Sequence, residues 1–261
     1  MKKRTIRIIS QEDVKKCIDM KQAIPLQRKA FCALSPKSTA VTPERTLLQV
    51  PGEGITLFKP AYFEDSGSMK DNEAAMGVLG CKVVSVRAKN NDSGLPTVVG
   101  SIMLFDVKTG FTKGLIDAEY LTGLRTAAGS GVFTDIYAEH NASKLVIFGA
   151  GLQAEEHFKA MMEVRSTIKE VVVINRTEDR ARALIQKLKS STYNNSNKRD
   201  VDIQYNFCSL NNEAGVREAL LNANILCCCT NSSEPLFKSE WIENNGCNVH
   251  INAIGKFFHL K

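Results

Sequence analysis

The sequence predicts an α/β protein whose C-terminal half forms a doubly wound parallel sheet. From Lys144 onward, apolar runs rich in β-branched residues alternate with stretches of helical spacing, which is typical of strands joined by crossover helices. The first of these runs passes directly into a glycine turn, Gly149-Ala-Gly151, and then into an amphipathic stretch. Up to residue 116 the chain instead shows short strand patterns after an initial helix pair. We therefore expect an α+β region to precede the parallel sheet.

The chain is predicted to begin with a short strand, Ile6 to Ile9, and two helices. Ser10 with Asp13 three residues later favours a capped helix start, because the serine side chain can accept from a backbone N–H of the first turn. The second helix is predicted from residue 24 to residue 34. Pro25 would then lie in its first turn, where a missing N–H costs nothing.

Strand patterns and turns follow these helices. Residues 42–50 read as an extended segment, and a turn leads into a returning strand at 55–58. A mobile loop is predicted to begin at Lys59 and to continue through residues 64–71. Further strands are expected at 77–86, 98–105 and 114–116, followed by a helix from Ala118 to Ala138.

The alternating half of the chain supplies the parallel sheet. Its strands are predicted at 144–148, 170–174, 201–207, 225–229 and 248–252, and its helices at 155–164, 177–189 and 213–222. A polar stretch at 190–199 interrupts this alternation and reads as a flexible insertion.

The glycine turn predicts a dinucleotide site of the Rossmann type. Gly149 permits a tight turn, Gly151 lets the backbone approach a pyrophosphate, and Ala154 stands where a methyl group still allows strand and helix to pack. The N–H groups at the start of the following helix would bind phosphate, aided by the helix dipole. Glycines also occur in ordinary turns, so the strand before this turn and the helix after it carry the prediction.

The end of the next strand indicates which nucleotide is bound. A carboxylate there would accept from the ribose 2′-hydroxyl of NAD, whereas this chain offers Asn175, Arg176 and Thr177. Arg176 can form charge-assisted hydrogen bonds to a 2′-phosphate. We therefore predict NADP(H) as cofactor, with NAD(H) as the alternative. The competing interpretation of Arg176 is a solvated arginine that begins the next helix.

Composition excludes several classes of protein. The 261 residues carry a net charge of +6 without a basic run that alternates with aromatics, so nucleic acid is not expected as a partner. The eight cysteines lack C-x-x-C spacing and the four histidines lack i,i+4 pairing, so no metal is predicted. No stretch approaches membrane-spanning length, and the basic residues 1–4 lack an apolar signal region. A reducing, cytoplasmic setting is expected.

Several motifs in this order resemble the ornithine cyclodeaminase and μ-crystallin family over nearly the whole chain. They are Arg45, Gly80-x-Lys82, Gly94-Leu-Pro96, Leu121-Thr-x-x-Arg125-Thr126-Ala-Ala128, Gly149-Ala-Gly151-x-Gln153-Ala154, Ser233-Glu234-Pro235 and His250-Ile-Asn-Ala-Ile-Gly255. The resemblance implies a homodimer formed through N-terminal sheets, with residues 1–116 as the substrate-binding and dimerisation domain. Residues 117–261 would form the NAD(P)-binding Rossmann domain, with the active site between the two domains.

The resemblance also assigns roles to individual residues. Arg45, Lys82 and Arg125 would form the catalytic group that holds an α-carboxylate and supplies a proton, and Arg125 and Thr126 would contact the cofactor. Gln153 would follow the glycine turn at the cofactor. Without the resemblance, Lys82 reads as a surface lysine on a half-exposed strand, and Thr126 as a hydroxyl near a helix start.

Two departures from the family pattern bear on the reaction. Cyclodeaminases carry a glutamate two or three residues before the proline that stands here as Pro60, and this chain has no acid there. They also carry an aspartate after the stretch that ends here at Gly255, where this chain has Lys256. The chain stops at Lys261, whereas the family continues with further helices, so a C-terminally short and inactive form is also an expectation.

The first functional expectation is therefore an NADP(H)-dependent oxidoreductase that reduces the C=N bond of a small cyclic ketimine or imino acid. The similarity is stronger to the μ-crystallin and ketimine reductase branch of the family. Ornithine cyclodeamination is the first alternative. A non-enzymatic protein that binds NADPH and a ligand similar to thyroid hormone is the second.

Overall fold

The computed structural model describes residues 5–34, 40–65, 76–191, 202–243 and 246–254. The chain divides into two compact units. The first unit consists of Met1–Asp19 and Arg28–Thr122, and the second of Met20–Gln27 and Gly123–Lys261. Most of the predicted mobile loop and of the polar insertion lies outside the described residues, as do Gly255 and Lys256.

The first unit contains a six-stranded sheet. Its elements and the helix that links it to the second unit are β1 (Arg7–Ile9), α1 (Gln11–Cys17), α2 (Met20–Cys32), β2 (Thr46–Val50), β3 (Gly54–Asp65), β4 (Met76–Val86), β5 (Val98–Phe105) and β6 (Thr112–Asp117). The strand order is β1-β6-β5-β4-β3-β2. Strands β2 to β6 pair antiparallel, and β1 pairs parallel with β6.

The predicted capping box at the start of α1 is confirmed, whereas the predicted place of Pro25 is wrong. Ser10 Oγ accepts from the backbone N–H of Asp13 at 3.2 Å, and the Asp13 carboxylate accepts from the backbone N–H of Ser10. Pro25 lies inside α2, beyond its first turn. The helix starts earlier than expected because Met20, with 1% exposure, and Ile24, with 8%, are buried, and this packing offsets the hydrogen bond that proline removes.

The segment from Lys59 to Tyr62 continues strand β3, so the predicted start of a loop at Lys59 is wrong. Lys59 pairs with Lys82, and Pro60 with Cys81, on strand β4. The backbone of Tyr62 hydrogen-bonds Val41, on the side of β3 away from β4. Pro60 lies two residues before Tyr62, so the backbone N of Pro60 also faces away from β4. The missing N–H of proline therefore removes no hydrogen bond between β3 and β4.

The second unit contains a five-stranded parallel sheet, as predicted. Its elements and the helix that enters it are α3 (Glu119–Tyr137), β7 (Lys144–Phe148), α4 (Leu152–Val164), β8 (Glu170–Asn175), α5 (Glu178–Lys189), β9 (Gln204–Ser209), α6 (Glu213–Leu220), β10 (Ile225–Cys228), α7 (Glu240–Glu243) and β11 (His250–Ala253). The order β11-β10-β7-β8-β9 places the first strand of the sheet in its centre. This is the doubly wound arrangement of a Rossmann fold.

The core of the second unit is made by strands that are buried on both faces. All five residues of β7 except Lys144 are buried, and Val171 to Ile174 of β8 are buried as well. Cys227 and Cys228 continue the apolar run of β10, and burial raises the pKa of Cys228 to about 12. These thiols therefore stay protonated and pack as small hydrophobic side chains, as predicted.

A buried arginine at the end of α4 bonds the end of α3. The Arg165 guanidinium, whose side chain is 2% exposed, donates to the carbonyl oxygens of Thr134 at 2.6 Å, Ala138 at 2.6 Å and Glu139 at 2.9 Å. These carbonyls belong to the end of α3 and the residues after it. Those of Thr134 and Glu139 also accept from the backbone N–H groups of Ala138 and Ala142, so the guanidinium adds a second donor there. Asn252 of β11 adds a bond from Nδ2 to Thr134 Oγ1 at 3.0 Å.

None of the helices that the structure describes is long and apolar enough to cross a membrane.

Candidate active site

The predicted glycine turn lies at the point where the strand order of the parallel sheet reverses. Strand β7 has β8 on one side and β10 on the other, and the turn follows its carboxyl end. Gly149 has φ +104°, and a Cβ there would approach the Cys229 carbonyl oxygen to 2.6 Å. Glycine is required because the backbone conformation and the neighbouring strand both exclude a side chain. Ligands of doubly wound folds bind in this crevice.

Gly151 has a different environment, which fits a bound pyrophosphate. It is the N-cap residue of α4 with φ −105°, a conformation open to any residue, and no side chain caps the helix there. A Cβ at Gly151 would meet no atom within 4 Å. The space beside it and the uncapped helix start thus suit a phosphate. Ala154 is fully buried one turn later, as expected for the position that packs helix against strand.

Gln153 and His157 lie on the first turns of α4. Gln153 Oε1 is buried and has no hydrogen-bond partner among the described residues. A buried amide oxygen without a partner is costly, so a donor from a ligand would satisfy it. The carbonyl oxygen of Gln153 lies 2.7 Å from His157 Nδ1, and Ser130 Oγ lies 2.9 Å from His157 Nε2.

These two contacts determine the protonation of His157. A carbonyl oxygen can only accept, so Nδ1 carries the proton and Nε2 accepts from the Ser130 hydroxyl. Burial lowers the pKa of His157 to about 4, and the ring is neutral at pH 7. His157 thereby joins α3 to α4 close to the glycine turn. No spacing pattern in the sequence signals this contact.

The tip of β8 carries the three residues for which recognition of a 2′-phosphate is predicted. Asn175 Nδ2 donates to the Thr177 carbonyl at 2.8 Å, which shapes the turn, and Arg176 is exposed. Thr177 is the N-cap of α5 and its side chain makes no capping bond. The next acid, Glu178, is paired with Arg182 at 2.7 Å. The tip therefore presents a cation where an NAD-selective strand presents a carboxylate.

A row of cationic residues crosses adjacent strands of the first unit. Lys82 on β4 lies directly opposite Lys59 on β3, so both side chains project from the same face of the sheet. Arg45 immediately precedes β2, whose first residue, Thr46, pairs with Phe58. One further step of that register places Arg45 beside Lys59. Sequence reasoning missed Lys59 because it assigned that segment to a loop.

Lys82 is half-buried and oriented by a hydroxyl, which argues against a purely solvated lysine. Its Nζ donates to Thr122 Oγ1 at 2.7 Å. The Thr122 hydroxyl in turn donates to the Ala118 carbonyl at 2.6 Å. The contact spans 40 residues of sequence, so no local pattern could reveal it.

Arg125 and Thr126 lie on α3 in the second unit. Arg125 is exposed as a residue, yet surrounding protein atoms partly desolvate its guanidinium and lower its pKa. It stays charged at pH 7, because arginine ionises far above that pH. Arg45 and Lys82 belong to the first unit, and the meeting of these cations with Arg125 stays a prediction. Among the described residues, no group of three His, Cys, Asp or Glu side chains could hold a metal ion.

Comparisons with known proteins agree with this geometry. The model of the ornithine cyclodeaminase/mu-crystallin family matches residues 7–257. A Delta(1)-pyrroline-2-carboxylate reductase of Bacillus cereus is 34% identical over 251 residues, which cover 96% of this chain and 68% of that protein. The ketimine reductase mu-crystallin of Rattus norvegicus is 29% identical over 221 residues, which cover 84% of this chain and 60% of that protein.

A solved structure extends the similarity to the fold. The Delta(1)-pyrroline-2-carboxylate reductase of Thermococcus litoralis, in complex with NADH and L-proline, superposes with a TM-score of 0.77 at 32% identity. The match covers 96% of this chain and 69% of that structure. The chain thus spans between 60% and 69% of the length of these three proteins. With the family model matched from residue 7 to residue 257, the chain belongs to the ornithine cyclodeaminase/mu-crystallin family.

Proposed function

We propose that this chain is an NADP(H)-dependent oxidoreductase that reduces the C=N bond of a small cyclic ketimine or imino acid. The observation that carries the proposal is the uncapped start of α4 beside Gly151, where a Cβ would meet no atom within 4 Å. This space, at the point where the strand order reverses, suits the phosphates of a dinucleotide. The names of two relatives, a pyrroline-2-carboxylate reductase and a ketimine reductase, supply the reaction class.

The chain's own residues supply substrate binding and a proton. A bound nicotinamide supplies a hydride to carbon. Arg45 and Arg125 would bind the substrate carboxylate through parallel N–H donors. Lys82 would donate a proton to the imine nitrogen, so that the C=N double bond becomes a C–N single bond in an amino acid. Its Nζ is already directed by the contact with Thr122 at 2.7 Å.

NADP(H) is proposed over NAD(H) because of the tip of β8. Arg176 is exposed there and would bind the 2′-phosphate through charge-assisted hydrogen bonds. Glu178, in the first turn of α5, accepts a hydrogen bond from Arg182. Repulsion of the phosphate by Glu178 is therefore reduced.

A homodimer is proposed from the face of the first sheet opposite Lys82. Ile8, Leu115 and Met103 lie side by side on β1, β6 and β5. Their side chains remain exposed by 80%, 37% and 37% respectively. Such a continuous apolar surface favours association with a second copy. None of the eight cysteines, all of which lie in the described part of the chain, forms a disulfide. The cytoplasm is the proposed compartment.

The function is tested by following NADPH absorbance with 1-pyrroline-2-carboxylate as substrate. We expect NADPH oxidation with stoichiometric formation of proline, and a loss of about 100-fold or more in kcat when Lys82 is changed to Met. Lys113→Met, which removes an exposed lysine from β6, serves as the matched control and should retain activity. Ammonia release and proline formation from ornithine, without net consumption of NADPH, would instead support a cyclodeaminase.

A further inference from the structure

The side chain of Lys82, on β4, is held by a hydrogen bond to Thr122. Lys59 stands directly opposite on β3, and two ammonium groups at such positions repel each other. The Lys82 Nζ is instead drawn to the beginning of α3, where it donates to Thr122 Oγ1 at 2.7 Å. Both residues belong to the first unit, so this contact is internal to one compact body.

The hydroxyl of Thr122 has only one proton, and a backbone carbonyl accepts it in a hydrogen bond. Thr122 Oγ1 lies 2.6 Å from the carbonyl oxygen of Ala118, one helical turn earlier. A carbonyl oxygen can only accept, so the hydroxyl proton is committed to Ala118. Towards Lys82 the Thr122 oxygen therefore presents a lone pair, and Lys82 must be the donor in that contact.

We propose that Thr122 is a positioning residue that holds Lys82 with its donor hydrogens directed for proton transfer. The proposal rests on the proposed reductase function for its kinetic consequence, while the positioning itself is a property of the two side chains. A side chain with four rotatable bonds becomes directed by a hydroxyl that is itself fixed to the backbone. An ammonium at Lys82 has hydrogens besides the one donated to Thr122, and under the proposed function one of them is transferred to the substrate nitrogen.

Two substitutions separate this role from simple packing. Thr122→Val keeps the shape of the side chain and removes the acceptor, whereas Thr122→Ser keeps the hydroxyl and removes a methyl group. With 1-pyrroline-2-carboxylate and NADPH, we expect Thr122→Val to lower kcat by about 10- to 100-fold while the KM for NADPH changes less than about threefold. Thr122→Ser should retain kcat within about threefold of the wild-type value.

A matched control comes from the second unit. The Thr167 hydroxyl also donates to a backbone carbonyl, that of Ala142 at 2.7 Å, but it has no hydrogen bond with a lysine of the described part of the chain. Thr167→Val removes the same kind of backbone bond and should leave kcat unchanged. A fall in kcat for Thr167→Val equal to that of Thr122→Val would overturn the proposal, because a general loss of stability would then explain both.

A second measurement requires no turnover. Brief acetylation by acetic anhydride, followed by peptide mass spectrometry, reports the reactivity of Lys82 relative to the exposed Lys113. Release of Lys82 from Thr122 should raise its relative labelling severalfold in Thr122→Val and not in Thr122→Ser. Unchanged labelling in Thr122→Val, or equal labelling in both variants, contradicts the positioning role. Absent turnover in wild-type protein with the labelling pattern intact would reject the proposed function and retain the positioning.

Discussion

Gly149 and Gly151 are separated by one residue, yet the fold itself requires glycine only at the first. Gly149 is constrained by the protein, because its φ of +104° and the Cys229 carbonyl at 2.6 Å from an added Cβ leave no room for a side chain. Gly151 has ordinary extended backbone and empty space around it. Under the proposed function, the second glycine leaves space for the cofactor pyrophosphate, so substitutions at the two positions should have different effects.

Alanine substitutions at the two glycines should separate an effect on stability from an effect on cofactor binding. Gly149→Ala is expected to lower the free energy of unfolding by at least about 2 kcal/mol, because it forces a strained backbone into contact with Cys229. Gly151→Ala should change that free energy by less than about 1 kcal/mol and raise the Kd for NADPH by about tenfold or more. Chemical denaturation and fluorescence titration measure the two effects. Tight NADPH binding by Gly151→Ala would contradict the assignment.

Arg176 is the residue that should set the choice between the two nicotinamide nucleotides. Arg176→Ala is expected to weaken NADPH binding by about 10- to 100-fold, the value of a charge-assisted hydrogen bond, and to change NADH binding by less than about threefold. Arg180→Ala removes an exposed arginine from the same helix region and serves as the control. Equal losses for both nucleotides would remove the 2′-phosphate role.

His157 predicts a dependence of stability on pH. Its pKa is lowered by burial from 6.5 to about 4, so below pH 6.5 the unfolded chain binds more protons than the folded one. Stability is therefore complete above about pH 6.5 and declines as pH falls towards 4, by up to about 3 kcal/mol for this group. Comparison of urea unfolding in wild type and His157→Gln between pH 7 and pH 4 isolates the effect. Identical pH dependence in both proteins would contradict it.

At the scale of elements, α3 depends on the side chain that satisfies its C-terminal end. Arg165 donates to the carbonyls of Thr134, Ala138 and Glu139, and Asn252 adds a bond to the Thr134 hydroxyl. The helix carries Arg125 and Thr126, so its placement in the second unit matters for both proposed contacts.

Replacing Arg165 should therefore disrupt more than one hydrogen bond. Arg165→Met is expected to destabilise the protein by about 3 kcal/mol or more, because the charge-assisted bonds to the carbonyls of Thr134, Ala138 and Glu139 are lost at once. Arg182→Met, at an exposed position paired with Glu178, should cost no more than about 1 kcal/mol. Thermal unfolding of both variants under one condition gives the comparison, and similar losses would refute the special role of Arg165.

The elements also show how far the sequence alone could reach. The parallel half followed from contiguous apolar runs and one glycine turn, since each strand and helix there is specified locally. Strand β3 was predicted too short, because Lys59 and Pro60 read as loop residues, and their fit depends on which side of β3 lacks a partner. Lys82 could be singled out by resemblance, but its link to Thr122 depends on a tertiary contact.

At the scale of the whole molecule, the first sheet has two chemically different faces. One carries the opposed lysines 59 and 82, and the other carries exposed Ile8, Leu115 and Met103. A sheet with one exposed apolar face requires a cover. The proposed homodimer would cover it with the same face of a second copy.

A charge placed on that face should prevent assembly. Leu115→Lys is expected to convert a dimer to a monomer in light scattering after gel filtration, because the lysine would be buried without a partner. Val107→Lys, at a similarly exposed position in the turn between β5 and β6 with 41% exposure, should leave the dimer intact. A dimer that survives Leu115→Lys would place the interface elsewhere.

The most direct test of the proposed reaction is the fate of the transferred hydrogen. NADPH with deuterium in both C4 positions of the nicotinamide is incubated with the protein and 1-pyrroline-2-carboxylate, and the proline formed is analysed by mass spectrometry. The proposed mechanism predicts proline with one deuterium on the α-carbon and none on nitrogen after exchange into water. Proline without deuterium at that carbon, or NADPH consumption without proline, would contradict direct reduction of the imine by the bound nucleotide.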